Sequence, residues 1–380
     1  MNKIKATFFI ALFLVLTSCV KDVYLDPIDL PDVLTSEVIR VDKFSENEFF
    51  SVTNTGLYLQ FDENDYVEYY SSDYADWTTF DWQQAKLSYQ DGILLVSNGS
   101  KYILVSRNSI KSDEFDNSSL MLRPSSIISP SGVPLHVGFG DIQVDNNNEL
   151  VYVIYIEKIE SNGTTKIATE MKVSAANYDA IDLVFNPQGE LVITTNPIYV
   201  VSDWNGNASN FNSIEPTNGF VNYKSIMQPT VVDGVLYGYS DAPSYYQSAN
   251  TMYKFDLSSQ TVTEFNLRDF CSYPDAVGGA EKHLNWNESN VSMLVPSEFG
   301  YTNVNGSPMS YIYSYNLEDE TCDIITIPSS SFVQSTFSIN DIGYNFNSDK
   351  VYIGLSSGLY VYDKNTDETS LFINSLLSLK

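Results

Sequence analysis

Histidine is almost missing. His136 and His283 are the only two in 380 residues, they lie far apart, and neither has a partner at metal-ligand spacing. H-E-x-x-H is absent, so the sequence predicts no metal site and no resident cofactor. Basic residues are scarce as well: 20 Lys and Arg stand against 48 Asp and Glu, a formal charge of -28. Nucleic-acid binding needs clustered cations to displace counterions, and adsorption to anionic lipid needs a basic patch. Neither is present, and the excess acid fits a soluble, exposed surface. Long apolar runs are lacking too. The longest, residues 6–16, is about 11 residues, too short for a bilayer core. Cysteine is down to Cys19, Cys271 and Cys322.

What is abundant is β-forming sequence. Residues 341–372 (DIGYNFNSDKVYIGLSSGLYVYDKNTDETSLF) read as four strands separated by Asn/Ser/Asp, Ser/Gly and polar turns. Val351, Ile353 and Leu355 alternate with Tyr352, Gly354 and Ser356, the period of a pleated strand. A recurring core, strand, short Asn/Asp/Gly/Gln turn, strand, appears at Gly56, Gly92, Asn148, Gly189, Gly234, Asn290 and Asp349, about 49 residues apart on average. Blade repeats run to roughly 40–50 residues. The expected fold is therefore all-β, a β-propeller of seven four-stranded blades over residues 37–380, with β-sandwiches as the alternative. Residues 37–44 (EVIRVDKF) form a single good strand, expected to complete the last blade and close the ring.

At the amino end, Lys3 and Lys5 precede the apolar run, as in a signal peptide. Leu16-Thr17-Ser18-Cys19 then resembles a bacterial lipobox. The resemblance implies removal of residues 1–18, which would carry the charge from -28 to about -30, and acylation of Cys19. Two or more acyl chains anchor stably, at ~0.8 kcal/mol per buried methylene. Val20-Lys21-Asp22 resembles the Lys-acid signal that sends lipoproteins of Bacteroidota to the outer face of the outer membrane. Residues 19–36, with two prolines and four aspartates, read as an extended tether. Within the body, MYKFDLSSQTVTEF, YIYSYNLEDETCDII and LYVYDKNTDETSLF share one pattern and resemble the outer hairpins of quinoprotein-like, kelch-like and WD40-like blades. That resemblance brings no cofactor ligand and no catalytic residue.

Catalytic motifs are few. Gly354-Leu355-Ser356-Ser357-Gly358 spells a nucleophile elbow, but a strand rather than a helix follows, so it reads as a hairpin turn. His136 is expected in a loop before a strand. The turns at residues 145–149 and 363–367 offer oxygen ligands without the sharp-turn Gly of a calcium loop, and read as solvated turns. An Asp box is absent; Ser71-Ser72-Asp73 lacks its Gly. Aromatics beside amides and carboxylates are the better binding candidates. Trp77 and Trp82 lie in an aromatic, acidic segment, and Trp204, Tyr245 and Tyr246 lie in polar loops where exposure is expected. Cys271 and Cys322 can form a disulfide in an exported protein.

These features predict a non-catalytic binding or scaffold lipoprotein of the outer membrane and cell surface. It would be held to the membrane by its lipid and would capture a glycan, a peptide or a partner protein on one face. A carbohydrate-active hydrolase or lyase using carboxylates near the axis is the alternative.

Overall fold

In the computed structural model Thr35–Lys380 forms one compact unit. The described residues are 38–43, 49–53, 56–60, 66–70, 85–90, 92–98, 101–106, 109–115, 125–160, 163–175, 181–206, 208–217, 226–240, 251–270, 284–287, 291–296, 301–302, 308–328, 339–345, 350–355 and 358–371. The expected signal peptide and tether lie outside them.

The strands fall into consecutive antiparallel sheets. The first comprises β1 (Val38–Lys43), β2 (Phe49–Thr53), β3 (Gly56–Gln60) and β4 (Tyr66–Tyr70); the second, β5 (Lys86–Gln90), β6 (Ile93–Ser97), β7 (Lys101–Ser106) and β8 (Ser109–Glu114). The third has long strands: β9 (Ser125–Ile128), β10 (Pro134–Val144), β11 (Leu150–Glu160) and β12 (Gly163–Ser174). The fourth holds β13 (Leu183–Phe185), β14 (Leu191–Ile193), β15 (Ile198–Val201) and β16 (Phe211–Ile214). The fifth holds β17 (Ile226–Val232), β18 (Val235–Ser240), β19 (Thr251–Asp256) and β20 (Thr261–Asn266). In the sixth, β21 (Asn285–Asn287), β22 (Ser292–Pro296), β23 (Tyr301–Thr302), β24 (Pro308–Asn316) and β25 (Thr321–Pro328) combine. The last has β26 (Ile339–Asn345), β27 (Lys350–Leu355), β28 (Gly358–Asp363) and β29 (Glu368–Leu371).

First strands meet first strands: β5 packs on β9, β9 on β13, β13 on β17, β21 on β26 and β26 on β1. Small meanders joined edge to edge through their first strands make a β-propeller, not a pair of stacked sheets. Among the described residues six of the sheets have four strands and one has five, where seven sheets of four were expected. The sixth sheet gains a fifth because β24 is long enough to pair β22 with Ile312–Asn316 and β23 with Pro308–Met309.

Ring closure also differs from expectation. β1 does not complete the last sheet; it pairs with β2 in the first. It packs on β26 and β27 instead, and the Val41 amide donates to Asp341 Oδ2 at 3.0 Å. β1 finds its antiparallel partner in β2, the next strand along the chain, and meets the last sheet through packing and the Val41–Asp341 bond.

The outer hairpins follow from one turn. Asp256, Asn316 and Asp363 each use Oδ1 to hold amides two or three residues on: Ser258 and Ser259, Glu318 and Asp319, and Asn365. Those bonds, from Ser259 first and then Ser258, hold the Asp256 carboxyl down at about 2. The chain then turns through a left-handed residue, Gln260 (φ 58°), Glu320 (φ 53°) or Asp367 (φ 57°). An L side chain pays about 1–2 kcal/mol for that conformation. Glu320→Gly is therefore expected to raise stability by about 0.5–1 kcal/mol, read as a higher urea midpoint; a lower midpoint would contradict the strain.

Among the described residues, no helix is long and apolar enough to cross a membrane.

Candidate functional site

The inner strands carry the polar groups, and these groups tie one sheet to the next. Lys86 of β5 reaches Asp182, just before β13, at 2.9 Å, Ser125 Oγ of β9 at 3.2 Å and the Ile181 carbonyl at 3.1 Å. Asp182 Oδ1 also accepts from Ser125 Oγ (3.2 Å) and the Leu183 amide (2.9 Å), while Oδ2 accepts from the Gln228 amide of β17 (2.7 Å). Gln228 passes the chain on. Its side-chain oxygen accepts from the Leu284 amide at 2.6 Å and its carbonyl from Trp286 Nε1 at 2.9 Å. One polar path therefore crosses five successive sheets, from the second to the sixth. Thr194 reinforces it by donating to the Asp182 or Ile226 carbonyl (3.1 and 2.5 Å). Asp182 has four donors on two oxygens, which exhausts its usual accepting capacity. It is a joint, and a poor general base. Asp341, nearly fully buried, serves the closure in the same way.

A second cluster lies between the second and third sheets. His136 is in β10 itself, not in a preceding loop, and is fully buried. Its ring stacks on Phe115, centroids 3.5 Å apart and 8° from parallel, and Nδ1 shares a 3.0 Å hydrogen bond with Ser126 Oγ. Glu157 stands directly opposite on β11. Ser126, His136 and Glu157 are the components of a hydrolytic triad, but all three are buried, so no substrate reaches them. Burial, with the Lys166 charge adding to it, pushes the imidazole down to about 3.

That depression has a sign. A histidine held neutral in the fold but titrating near 6.5 when unfolded costs stability as pH falls from 6.5 toward 3, by at most about 1.4 kcal/mol per pH unit. The groups facing it are Glu157, Lys166, Tyr155 and Ser126, with Tyr102 packed on the Phe115 ring that stacks on it. His136→Asn should flatten the fall in urea midpoint between pH 6.5 and 5, above the range where most carboxylates titrate. Parallel profiles for the two proteins would show that His136 is not the titrating group.

Trp204 corrects an expectation. It is only 8% exposed. Its ring meets Phe185 edge-on at 5.3 Å, and Nε1 donates to the Gly189 carbonyl at 3.0 Å. The polar loop around it is spent on itself: Asp203 accepts the Ser209 and Asn210 amides at 3.1 and 2.9 Å. The indole is thereby turned into the core rather than offered to a ligand. Trp77, Trp82, Tyr245, Tyr246, Cys19, Cys271 and His283 lie outside the described residues. Cys322 is disulfide-bonded.

The calcium-like turns are likewise self-satisfied. Asp145 Oδ1 accepts from Asn147 and Glu149 amides at 2.9 and 2.8 Å, and Asp367 accepts from the Tyr362 hydroxyl at 2.9 Å. The Gly354–Gly358 segment joins antiparallel β27 to β28, as a hairpin rather than an elbow.

No family model matches the sequence, and no curated relative matches it. Solved structures do. The WD40 domain of SCAP from fission yeast is 11% identical at a TM-score of 0.38, covering 88% of this chain and 86% of that one. A protein of unknown function from Bacteroides caccae is 11% identical at 0.41, covering 81% and 98%. The tricorn protease is 11% identical at 0.39, with 76% of this chain covered; the match spans about a quarter (26%) of that chain.

Proposed function

We propose that this chain is a non-catalytic binding or scaffold protein, a propeller moored to the outer membrane by acylated Cys19 after loss of residues 1–18, with residues 19–36 as the tether. The observation that supports it most is the use made of the inner polar groups. Lys86, Asp182 and Gln228 spend their hydrogen bonds on neighbouring sheets, and the His136 cluster is closed to solvent. A rigid ring with its interior chemistry committed to joints is suited to presenting its rims and faces, and Trp77, Trp82, Tyr245 and Tyr246 are the aromatic candidates for contacts there. The ligand class is a glycan, a peptide or a partner protein. Cys271 is the proposed partner of Cys322, consistent with an exported location.

The mooring is tested by Cys19→Ser in cells that process lipoproteins. Loss of acyl chains is expected to shift the protein from the detergent phase to the aqueous phase nearly completely. Unchanged partitioning would remove Cys19 as the anchor. Binding without turnover on glycan and peptide arrays is the expected outcome for the body; release of reducing ends would replace this reading with the hydrolase.

A further inference from the structure

The third sheet overhangs its neighbours. β9 covers only Pro134–Val137 of β10, yet β10 runs on to Val144. From Gly138 onward it has β11 on one side and, among the described residues, no strand on the other. The register shows what that edge offers. At the hairpin tip the Asp145 amide donates to the Glu149 carbonyl at 2.9 Å. Antiparallel ladders alternate, so the next pair, Val144 and Leu150, does not bond across the ladder. The Leu150 carbonyl accordingly accepts from Ala175 on the β12 side, at 2.8 Å. The N–H and C=O groups of Val144 and Ile142 therefore point outward, in the plane of the sheet.

The side chains agree. Ile142, Val144 and Leu150 are 52%, 61% and 55% exposed, the large apolar residues left open among those described. Val144 sits opposite Leu150, and Ile142 opposite Tyr152, so all share one face. Tyr152 carries that face into the core through an edge contact with Phe139 at 5.8 Å. Natural edge strands are usually blunted by Lys, Pro or a bulge. Here the bulge lies earlier, between Phe139 and Ile142, and residues 140–150 contain no Lys, Arg or Pro. They do contain Asp141, Asp145 and Glu149, in a chain of charge -28.

We propose that this edge is a docking strand for an extended peptide with alternating apolar and basic side chains. The peptide adds to β10, bonding to the Ile142 and Val144 backbone. Its apolar positions cover Ile142, Val144 and Leu150, and its cations meet Asp141 and Glu149. A second copy of this acidic chain is the wrong partner by charge. The proposal deepens the binding reading by naming a partner class; it does not depend on the lipid.

The test uses the purified full-length chain and fluorescein-labelled nonapeptides: one alternating Val with Lys or Arg, one with Glu replacing the cations, and one of equal positive charge interrupted by Pro. Fluorescence anisotropy should show binding of the first alone. Val144→Pro removes an outward N–H without touching the β11 ladder, and should weaken binding about tenfold, the value of one or two hydrogen bonds. Ile142→Ser with Leu150→Ser should do the same by removing the apolar cover, while the thermal midpoint stays unchanged. Equal binding of the Pro-interrupted peptide would reduce the effect to net charge and overturn the proposal. So would binding indifferent to both variants, or a dimer that the same variants dissolve. If a native partner is still captured elsewhere on the propeller, the binding reading survives and only this edge is lost.

Discussion

Asp182→Ala is expected to destabilise the propeller by about 3 kcal/mol, the low end for breaking a buried charge pair. The low end applies because the Lys86 side chain is 26% exposed and keeps some water. The substitution leaves Lys86 without its counter-ion and strands the Gln228 amide in a partly buried place. With a denaturant slope of ~3 kcal/mol per molar for a domain of this size, the urea midpoint drops by roughly 1 M. Lys86→Met should cost less, because Asp182 keeps three neutral donors. The double variant should fall short of the sum, since residues in one network couple. A drop under about 0.3 M for Asp182→Ala would mean that the polar path is not a joint.

This joint is the part of the molecule that the sequence conceals best. Lys86 and Asp182 are almost a hundred residues apart, and nothing in AKLSYQ or AIDLVF marks either as a partner. An isolated Lys at a strand start reads as a solvated rim residue; only the convergence of first strands makes it interior. The outer hairpins are the opposite case. Their physics is local: an Asp or Asn oxygen reaching amides two and three positions ahead, then one left-handed residue. All of it lies within five letters, so the three hairpins share one pattern in the sequence.

Blade starts fall between these extremes. The turns at Gly92, Gly189, Gly234, Asn290 and Asp349 join first to second strands, whereas those at Gly56 and Asn148 join second to third. In the third sheet the displaced turn has a physical cause. The turn at residues 145–149 uses the same device as the one at residues 186–190, where Asn186 Oδ1 holds the Gln188 and Glu190 amides before left-handed Gly189. Identical turn chemistry hides a different position in the sheet, and β9, only four residues long, gives too weak an alternation to be counted. Trp204 fails in sequence for a related reason. Polar letters around it imply water, but the loop consumes them internally.

Gly238→Ala tests whether packing and the polar path are one system. A Cβ at Gly238 of β18 would run into Ile226 Cγ2 and lie 2.8 Å from the Met227 carbonyl oxygen. The methyl group of Ile226 can rotate away only into a fully buried site, and the carbonyl belongs to the backbone. The residue after that carbonyl is Gln228, at φ 49°, already committed to Asp182, Leu284 and Trp286. Relief of the clash must therefore shift the joint. Overpacking of this kind costs about 2–3 kcal/mol, and one of the four Trp indole N–H resonances, that of Trp286, should move in the Gly238→Ala protein. Gly138→Ala is the control. Its Cβ would meet the hydroxyl oxygen and Cζ of the buried Tyr155 ring at 2.5 and 2.6 Å, in a sheet whose strand β10 is not part of the polar path, so its cost should be similar while the Trp286 resonance stays in place. If the Trp286 resonance stays in place in the Gly238→Ala protein as it does in Gly138→Ala, the fifth sheet packs independently of the path that runs through Gln228.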